Sequence, residues 1–111
     1  MMASQRMRDP PALKRIPFLW EFEEEVRRGL KTMTCRTKSY GKRGDLLQGP
    51  GCVLRLTEVQ QLTLATVKYH YYDAEGCDSP DEFEAIWNAI HPRKGYDGDR
   101  LVWAHTFEVV R

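Results

Sequence analysis

Near the N-terminus of the sequence, apolar side chains recur every four residues, at Phe18, Phe22 and Val26. Four glutamates, Glu21 and Glu23 to Glu25, lie among them, and two arginines follow. A four-residue repeat places side chains on one face of a helix, and acidic residues that precede basic ones match the helix dipole. The pattern therefore predicts a short amphipathic helix that ends at Gly29.

Alternation and β-favouring residues predict strands in several later segments. These segments are Thr32 to Thr37, Leu46-Leu47, Cys52 to Val59 and Leu101 to Val110. A basic loop with two glycines, Ser39 to Asp45, separates the first two strands. The segment Leu64 to Tyr72 fits a strand and a helix equally well, because a short apolar run cannot be assigned from its period alone.

A second helix has a clear start signal. Ser79 is a suitable N-cap, Pro80 suits the first turn, and Glu82 occupies the capping-box position. His91-Pro92 ends the helix, since the residue before a proline avoids helical angles. The buried stripe predicted for this helix is Phe83, Ile86, Trp87 and Ile90.

In the last strand, Leu101, Trp103, His105, Phe107 and Val109 alternate with residues of the other face. Trp87 and Trp103 complete these helical and strand patterns and are expected in the core. Trp20 lies off the stripe of the first helix, which leaves its role open.

Two or three short helices and about five strands predict an α+β protein. The simplest arrangement is a small curled sheet or β-barrel whose openings are covered by the helices. Residues 1–15 contain Asp9-Pro10-Pro11 and no periodic apolar pattern, so we expect a flexible N-terminal arm. Residues 16–111 form the one predicted domain.

The composition is that of an ordinary globular protein. Of the 111 residues, 41% are hydrophobic and 30% are charged. No apolar run approaches the roughly 20 residues that span a bilayer, and the N-terminus lacks the apolar core of a secretory signal. We therefore expect a cytoplasmic protein without a membrane partner, and a monomer in preference to an oligomer.

The cysteines and histidines do not form a metal-binding pattern. Cys35, Cys52 and Cys77 are far apart and include no CxxC pair, and the three histidines are isolated. Zinc sites and disulfide frameworks have characteristic ligand spacings that are missing here. We expect three reduced thiols, no metal and no cofactor.

Positive charge is concentrated in one segment. From Arg27 to Arg43 the chain contains seven basic residues and neither Asp nor Glu, although the formal net charge of the whole chain is only +1. A basic cluster beside a cleft suits phosphate binding. A solvated surface loop explains the same run equally well, and both interpretations stay open.

The segment Gly29 to Arg36 is the most informative one. Thr32, Thr34 and Arg36 alternate and therefore share one face of the predicted strand, while Lys31 lies where the helix leads into the strand. An ammonium, hydroxyls and a guanidinium around one concavity suit an anionic or amide-bearing ligand.

These residues resemble the GxKxxTxR signature of the ASCH domain, a relative of the PUA domain with a small β-barrel fold. The matching positions are Gly29, Lys31, Thr34 and Arg36. Further landmarks of the family occur in the same order, and together they cover most of residues 16–110. They are Gly44-Asp45-Leu46, Glu75-Gly76 before the serine-started helix, and Phe107 in the closing strand.

The resemblance implies a domain that binds RNA or a nucleoside. Some small members hydrolyse N4-acetylcytidine to cytidine and acetate, and their catalytic residues correspond here to Lys31, Thr34 and Glu75. We expect Lys31 as base, Thr34 as nucleophile and Glu75 as proton donor, with Glu82 as the other candidate glutamate. Arg36 would then face the substrate or a phosphate.

Two other functions remain open. In a non-catalytic RNA-binding module, the loop residues Lys38, Lys42 and Arg43 would bind phosphates and Tyr40 would stack on a base. A ribonuclease-like ASCH protein would use the same lysine and loop. A purely structural role for the Lys, Thr and Arg cluster, with an ion pair between Arg36 and Glu75, is the remaining alternative.

Overall fold

The computed structural model describes residues 12–110, which form three helices and four strands. The helices are α1 (Trp20–Arg27), α2 (Leu64–His70) and α3 (Pro80–Ile90). The strands are β1 (Met33–Arg36), β2 (Leu46–Gly49), β3 (Cys52–Thr63) and β4 (Leu101–Val110). Residues 1–11 of the predicted arm lie outside the described residues.

The four strands form one antiparallel sheet in the order β1-β4-β3-β2. The predicted α+β class is confirmed, but two details of the prediction are wrong. The described sheet has four strands and not about five, and it is open. It does not close into a barrel because β1 and β2 lie at opposite edges and do not pair with each other.

The chain that precedes α1 runs beside the edge strand β2. Gln48 donates its backbone N–H to Lys14 (2.9 Å), and Ile16 donates to the Gln48 carbonyl (3.1 Å). Arg15 forms a parallel bridge with Gln48. The ordered contacts of the described chain therefore begin just before the predicted domain boundary at residue 16.

Helix α1 ends just before Gly29, as the sequence predicts. Gly29 has φ +75°, in the left-handed region that glycine adopts without strain. The Glu25 carbonyl then accepts hydrogen bonds from the backbone N–H groups of Leu30 and Lys31, at 2.8 and 3.1 Å. This turn delivers Lys31 to the start of β1.

The ambiguous segment after β3 is helical. Thr63 ends β3 and caps α2, and its hydroxyl accepts the Thr66 N–H at 3.2 Å. The predicted start of α3 is confirmed: Ser79 Oγ accepts the Glu82 N–H at 3.1 Å, and Glu82 Oε1 reaches one residue beyond the N-cap and accepts the Asp78 N–H at 2.9 Å. The Glu82 carboxylate is thus used at the start of α3.

Each face of the sheet carries its own hydrophobic cluster. The first contains Met33 and Cys35 of β1, Val102 and Ala104 of β4, and apolar residues of α2 and α3. The second contains Leu54 and Leu56 of β3, Phe107 of β4, and Ile16 and Val26.

Strand β4 contributes to both clusters along its length, because side chains alternate between the two faces. It buries Val102 and Ala104 in its first half, and His105 and Phe107 in its second half. The sequence predicts that alternate residues from Leu101 to Val109 face the core, and this prediction is correct only from His105 onward. Trp103 is half-buried and Leu101 is exposed.

Candidate active site

A cavity of about 430 Å³ lies along β1, at one edge of the sheet. The segment from Pro17 to Leu19 and Phe22 of α1 form one wall, and α3 forms the other with residues such as Phe83 and Trp87. Lys31, Thr34 and Glu75 all line this cavity. The three residues predicted to be catalytic therefore share one enclosed space.

Glu75 reaches Lys31 because the turn before α3 is fastened to the start of β1. The Ala74 carbonyl accepts hydrogen bonds from the backbone N–H groups of Thr32 and Met33, at 2.8 and 3.0 Å. Gly76 follows with φ +90°, and a Cβ at this position would lie 3.1 Å from the Phe22 ring. The angle favours glycine and a Cβ would have to displace the Phe22 ring, which explains the Glu75-Gly76 pair.

Lys31 and Glu75 form a buried ion pair. The distance from Lys31 Nζ to Glu75 Oε1 is 3.2 Å, and Nζ also donates to the Glu75 carbonyl oxygen at 2.5 Å. The two residues are only 3% and 7% exposed. Lys31 Nζ lies 4.7 Å from the centroid of the Phe22 ring, a cation–π distance. The ammonium is therefore held by an acid, a carbonyl and an aromatic face.

The second oxygen of Glu75 is less well satisfied. Glu75 Oε2 is buried and has no N–H or O–H donor among residues 12–110. Beside it, burial raises the pKa of the Cys35 thiol well above its ordinary value, and the negative charge of Glu75 raises it further. Burial likewise raises the pKa of Cys77 to about 11. Both cysteines of the cavity are therefore protonated at neutral pH.

Thr34 is oriented by Arg36 two residues later on the same face of β1. Arg36 Nε donates to Thr34 Oγ1 at 3.1 Å, so this oxygen is an acceptor. No acceptor for the hydroxyl hydrogen itself is found in the described part of the chain. The Thr34 O–H can therefore be donated to a base or a ligand in the cavity.

Arg36 is also held by the protein. Its Nη2 donates to the Pro17 carbonyl at 2.6 Å, and its guanidinium carbon lies 5.2 Å from the Phe18 ring centroid and 5.4 Å from that of Tyr40. The alternative of an Arg36–Glu75 ion pair is wrong, because Glu75 pairs with Lys31. Arg36 fastens the segment before α1 to β1.

The His105 side chain forms hydrogen bonds to β1 and to the basic loop that follows it. Its Nε2 accepts the Tyr40 backbone N–H at 3.0 Å, so its Nδ1 carries the hydrogen and donates to the Thr34 carbonyl at 3.2 Å. His105 is fully buried, and burial lowers the pKa of its imidazole. The neutral ring thus connects β4, β1 and the basic loop. Sequence alone gave no sign of this role, since the residue is an isolated histidine.

Comparison with known proteins gives matches at the level of structure. No protein-family model and no curated protein sequence matches this chain. Protein EF3133 from Enterococcus faecalis, of the DUF984 family, has a TM-score of 0.69 at 19% identity, over 96% of this chain and 86% of the other. The hypothetical protein PH0355 has a TM-score of 0.66 at 14% identity, over 85% and 95%.

A crystal structure of an ASCH domain from Lactobacillus crispatus also matches. Its TM-score is 0.64 at 16% identity, over 88% of this chain and 79% of the other. The chain has the fold of an ASCH domain. The resemblance seen in the sequence is thereby confirmed for the fold.

Within this ASCH fold, the predicted binding residues are divided between two places. Lys38 and Tyr40 line the cavity with Arg36, whereas Lys42 and Arg43 do not. Lys42 is exposed and pairs with Asp45 at 3.4 Å. Tyr40 packs edge-on against His105, with ring centroids 5.9 Å apart, so one side of its ring is already used.

The α3 wall of the cavity includes two residues whose role there the sequence did not indicate. Trp87 is buried as predicted, yet it also faces the cavity, and its Nε1 hydrogen has no acceptor among the described residues. His91 stacks on Trp87 with ring centroids 4.2 Å apart. The sequence could have indicated this contact, because residues four positions apart lie on the same face of a helix. Trp20 is 77% exposed and does not line the cavity.

No group of three His, Cys, Asp or Glu side chains among residues 12–110 has the arrangement of a metal site. No helix in this range has the length and apolar character needed to cross a membrane.

Proposed function

We propose that this protein is an amidohydrolase that removes the acyl group from N4-acetylcytidine or a similarly acylated nucleoside. The observation that carries the proposal is the buried Lys31–Glu75 pair, which lines the same cavity as the Thr34 hydroxyl. A nucleophile, a base and an acid are the groups that amide hydrolysis needs.

The size and walls of the cavity support a ligand of this class. About 430 Å³ lies within the range of roughly 300–1,000 Å³ typical of small-molecule sites. Phe22, Phe83 and Trp87 line it, and aromatic walls suit the flat face of a pyrimidine. A few polar groups in a largely aromatic pocket are the usual means of orienting such a ligand.

The ion pair supports the assignment of base and acid to its two members. Transfer of one proton from Lys31 Nζ to Glu75 would convert the pair into a neutral amine and a carboxylic acid. These are the forms that a general base and a general acid require. Because both side chains are buried, the neutral form of the pair avoids the desolvation cost of two charges.

The proposed first half-reaction starts from this neutral form. Thr34 Oγ1 attacks the acyl carbon while its proton moves to Lys31 Nζ. The C–N bond then breaks as Glu75 gives its proton to the departing N4 nitrogen. The products are the free nucleoside, an acyl-threonine ester, an ammonium and a carboxylate, so protons and charge balance.

Water completes the cycle in the second half-reaction. It attacks the ester and gives a proton to the Glu75 carboxylate, and Lys31 returns its proton to Thr34 as the C–O bond to Thr34 breaks. The acid leaves, and return of the proton from Glu75 to Lys31 Nζ restores the ion pair. Arg36 donates a hydrogen bond to Thr34 Oγ1 and orients this hydroxyl, as a positioning residue and not as a reacting one.

The test is to incubate the purified protein with N4-acetylcytidine and to measure cytidine and acetate. We expect turnover by the native protein and a loss of at least about a hundredfold in Thr34→Val, the size of effect typical of removing a reacting group. Thr34→Val keeps the shape of the side chain and removes only the hydroxyl. Lys42→Met, a loss of an exposed lysine outside the cavity, is the matched control and should keep full activity.

The exposed lysine and arginine of the loop favour one alternative, a non-catalytic RNA-binding module. Tight binding of RNA that weakens steeply with added salt, without any release of acetate, would support that function and overturn the hydrolase. Cleavage of RNA by the native protein would instead indicate a ribonuclease. Turnover that Thr34→Val leaves unchanged would refute the proposed nucleophile.

A further inference from the structure

A second cavity, of about 470 Å³, adjoins the first one beyond the C-terminal end of α3. Thr37 and His91 line both cavities, so the two spaces share a wall. The remaining lining of the second cavity is Pro92, Arg93, Lys94 and Arg100. None of these residues belongs to the segment in which the sequence concentrates its basic residues.

The charge of this second cavity is of one sign. It is lined by three cations and by no carboxylate. None of the three forms a salt bridge with any residue in the described part of the chain. Arg100 Nη1 is buried there without a hydrogen-bond acceptor. A buried guanidinium nitrogen without an acceptor is costly, and the same guanidinium belongs to a residue that lines the cavity, where an anion would pair with its charge.

The loop that contains Arg93 and Lys94 is held in place by hydrogen bonds to the end of α3. Gly95 donates its backbone N–H to the His91 carbonyl at 2.8 Å, and Tyr96 donates to Asn88 Oδ1 of α3 at 2.7 Å. Both bonds fasten the loop to the end of α3. Arg93 and Lys94 lie between His91 and Gly95, the two residues that the first bond joins.

The two cavities differ in what they can accept. The first is lined by Lys31, Arg36 and Lys38 but also by the buried Glu75 carboxylate, so a phosphate there would meet a negative charge. The second offers only positive charge. An elongated ligand with an aromatic amide at one end and a phosphate at the other matches this division.

We infer that the second cavity binds the phosphate of a nucleotide whose acylated base occupies the first. This inference rests on the proposed function and narrows its substrate class, from a free nucleoside to a nucleotide. A nucleoside monophosphate and a residue within an RNA chain present the same phosphate chemistry. Arg100 is the central residue, with Arg93 and Lys94 at the exposed rim.

The experiment compares binding of cytidine, its 5′- and 3′-monophosphates, and a short single-stranded RNA by calorimetry, and hydrolysis of the acetylated nucleoside and nucleotides. We expect at least one phosphate-bearing ligand to bind about tenfold or more tightly than cytidine, the effect of a charge-assisted hydrogen bond. A preference for a monophosphate identifies a nucleotide as the ligand, and a preference for the oligonucleotide alone identifies a residue in RNA.

The variants are Arg100→Gln and the double variant Arg93→Gln/Lys94→Gln. Both should remove most of the preference for phosphate and leave the binding of cytidine unchanged. The double variant changes only exposed side chains and so keeps the fold. Arg28→Gln, a change of an exposed arginine that lines neither cavity, is the matched control and should keep the preference.

The outcomes separate this inference from the function on which it rests. Equal binding of cytidine and every phosphate-bearing ligand overturns the phosphate site, even if N4-acetylcytidine is hydrolysed. A phosphate preference that persists in both variants also overturns it. A preference lost in the variants without any hydrolysis keeps the phosphate site and refutes the amidohydrolase.

Discussion

Lys31 and Glu75 carry opposite charges where water cannot solvate them. In such a place the loss of one partner leaves the other charge unpaired, which usually costs more than the pair itself contributes. Exposed pairs behave differently, because water solvates a charge that has lost its partner. Arg55–Glu108 is an example of an exposed pair, about half exposed on both sides (47% and 53%).

Lys31→Met should therefore lower the free energy of unfolding by about 3 kcal/mol, and Lys31→Met/Glu75→Gln should cost less than the sum of the two single changes. Arg55→Met, the exposed control, should cost less than about 1 kcal/mol. Urea denaturation of the four variants measures all of these differences. Strict additivity of the two buried changes would show that the charges are not coupled.

His105 makes stability depend on pH. Burial lowers the pKa of its imidazole in the folded protein, so between that pKa and the unfolded value of about 6.5 the unfolded chain binds more protons. The contribution of the neutral ring is therefore complete above about pH 6.5 and is lost as pH falls through the folded pKa. The slope for one proton is at most about 1.4 kcal/mol per pH unit.

We expect His105→Gln to flatten the decrease in unfolding free energy between pH 7.5 and pH 5. The matched control is His70→Gln, which replaces an exposed histidine and should leave the slope as it is. His91 remains present in both variants, so its own lowered pKa affects them equally. An unchanged slope in His105→Gln would show that this ring is not the source.

Prediction from sequence worked best for residues whose role depends on near neighbours. Thr34 and Arg36 share a face because they are two apart in a strand, and the structure joins them by a hydrogen bond. The bond from Arg36 to the Pro17 carbonyl depends on how the chain before α1 returns to β1, which no local pattern records. The role of His105 is equally non-local.

At the scale of elements, the turn before α3 determines where the Glu75 carboxylate lies. Gly76 contributes both an angle that other residues avoid and a surface that lies against Phe22. Gly44 has almost the same angle, φ +94°, with nothing within 4 Å of an added Cβ. Substitutions at the two glycines therefore distinguish the energetic cost of the left-handed backbone angle from the cost of a contact with Phe22.

Gly44→Ala should destabilise the protein by about 1–2 kcal/mol, the cost of the left-handed conformation for alanine. Gly76→Ala should cost more, because the added methyl group must displace the Phe22 ring, and it should also reduce hydrolysis of N4-acetylcytidine. Thermal unfolding and the acetate assay measure both effects. Equal losses of stability for the two variants would show that Phe22 yields without cost.

The elements themselves were predicted unevenly. The start of α3 follows from a local N-cap signal, which the structure reproduces. The extent of β3 does not, since it continues past Val59 to Thr63 by pairing with β4. The segment after it became a helix because Thr63 caps it, a signal that the apolar pattern obscured.

At the scale of the whole molecule, the α+β class followed from the number and kind of elements, whereas closure of the sheet could not be predicted. Closure depends on whether β1 and β2 meet, and these strands contain only four residues each. β2 pairs with β3, which follows it directly in the sequence, whereas β1 pairs with β4 near the other end of the described chain. The walls of the candidate site likewise combine segments from residue 17 to residue 91.

The open sheet has its two longest strands, of 12 and 10 residues, in the middle and its two shortest at the edges. Short edges with charged side chains resist the strand-to-strand addition that leads to aggregation. On β1 the guanidinium of Arg36 supplies such a charge. A residue that shapes the candidate site therefore also opposes the pairing of this edge strand with a second copy of the protein. Variants that remove it should therefore be examined by light scattering, because self-association would imitate a loss of function.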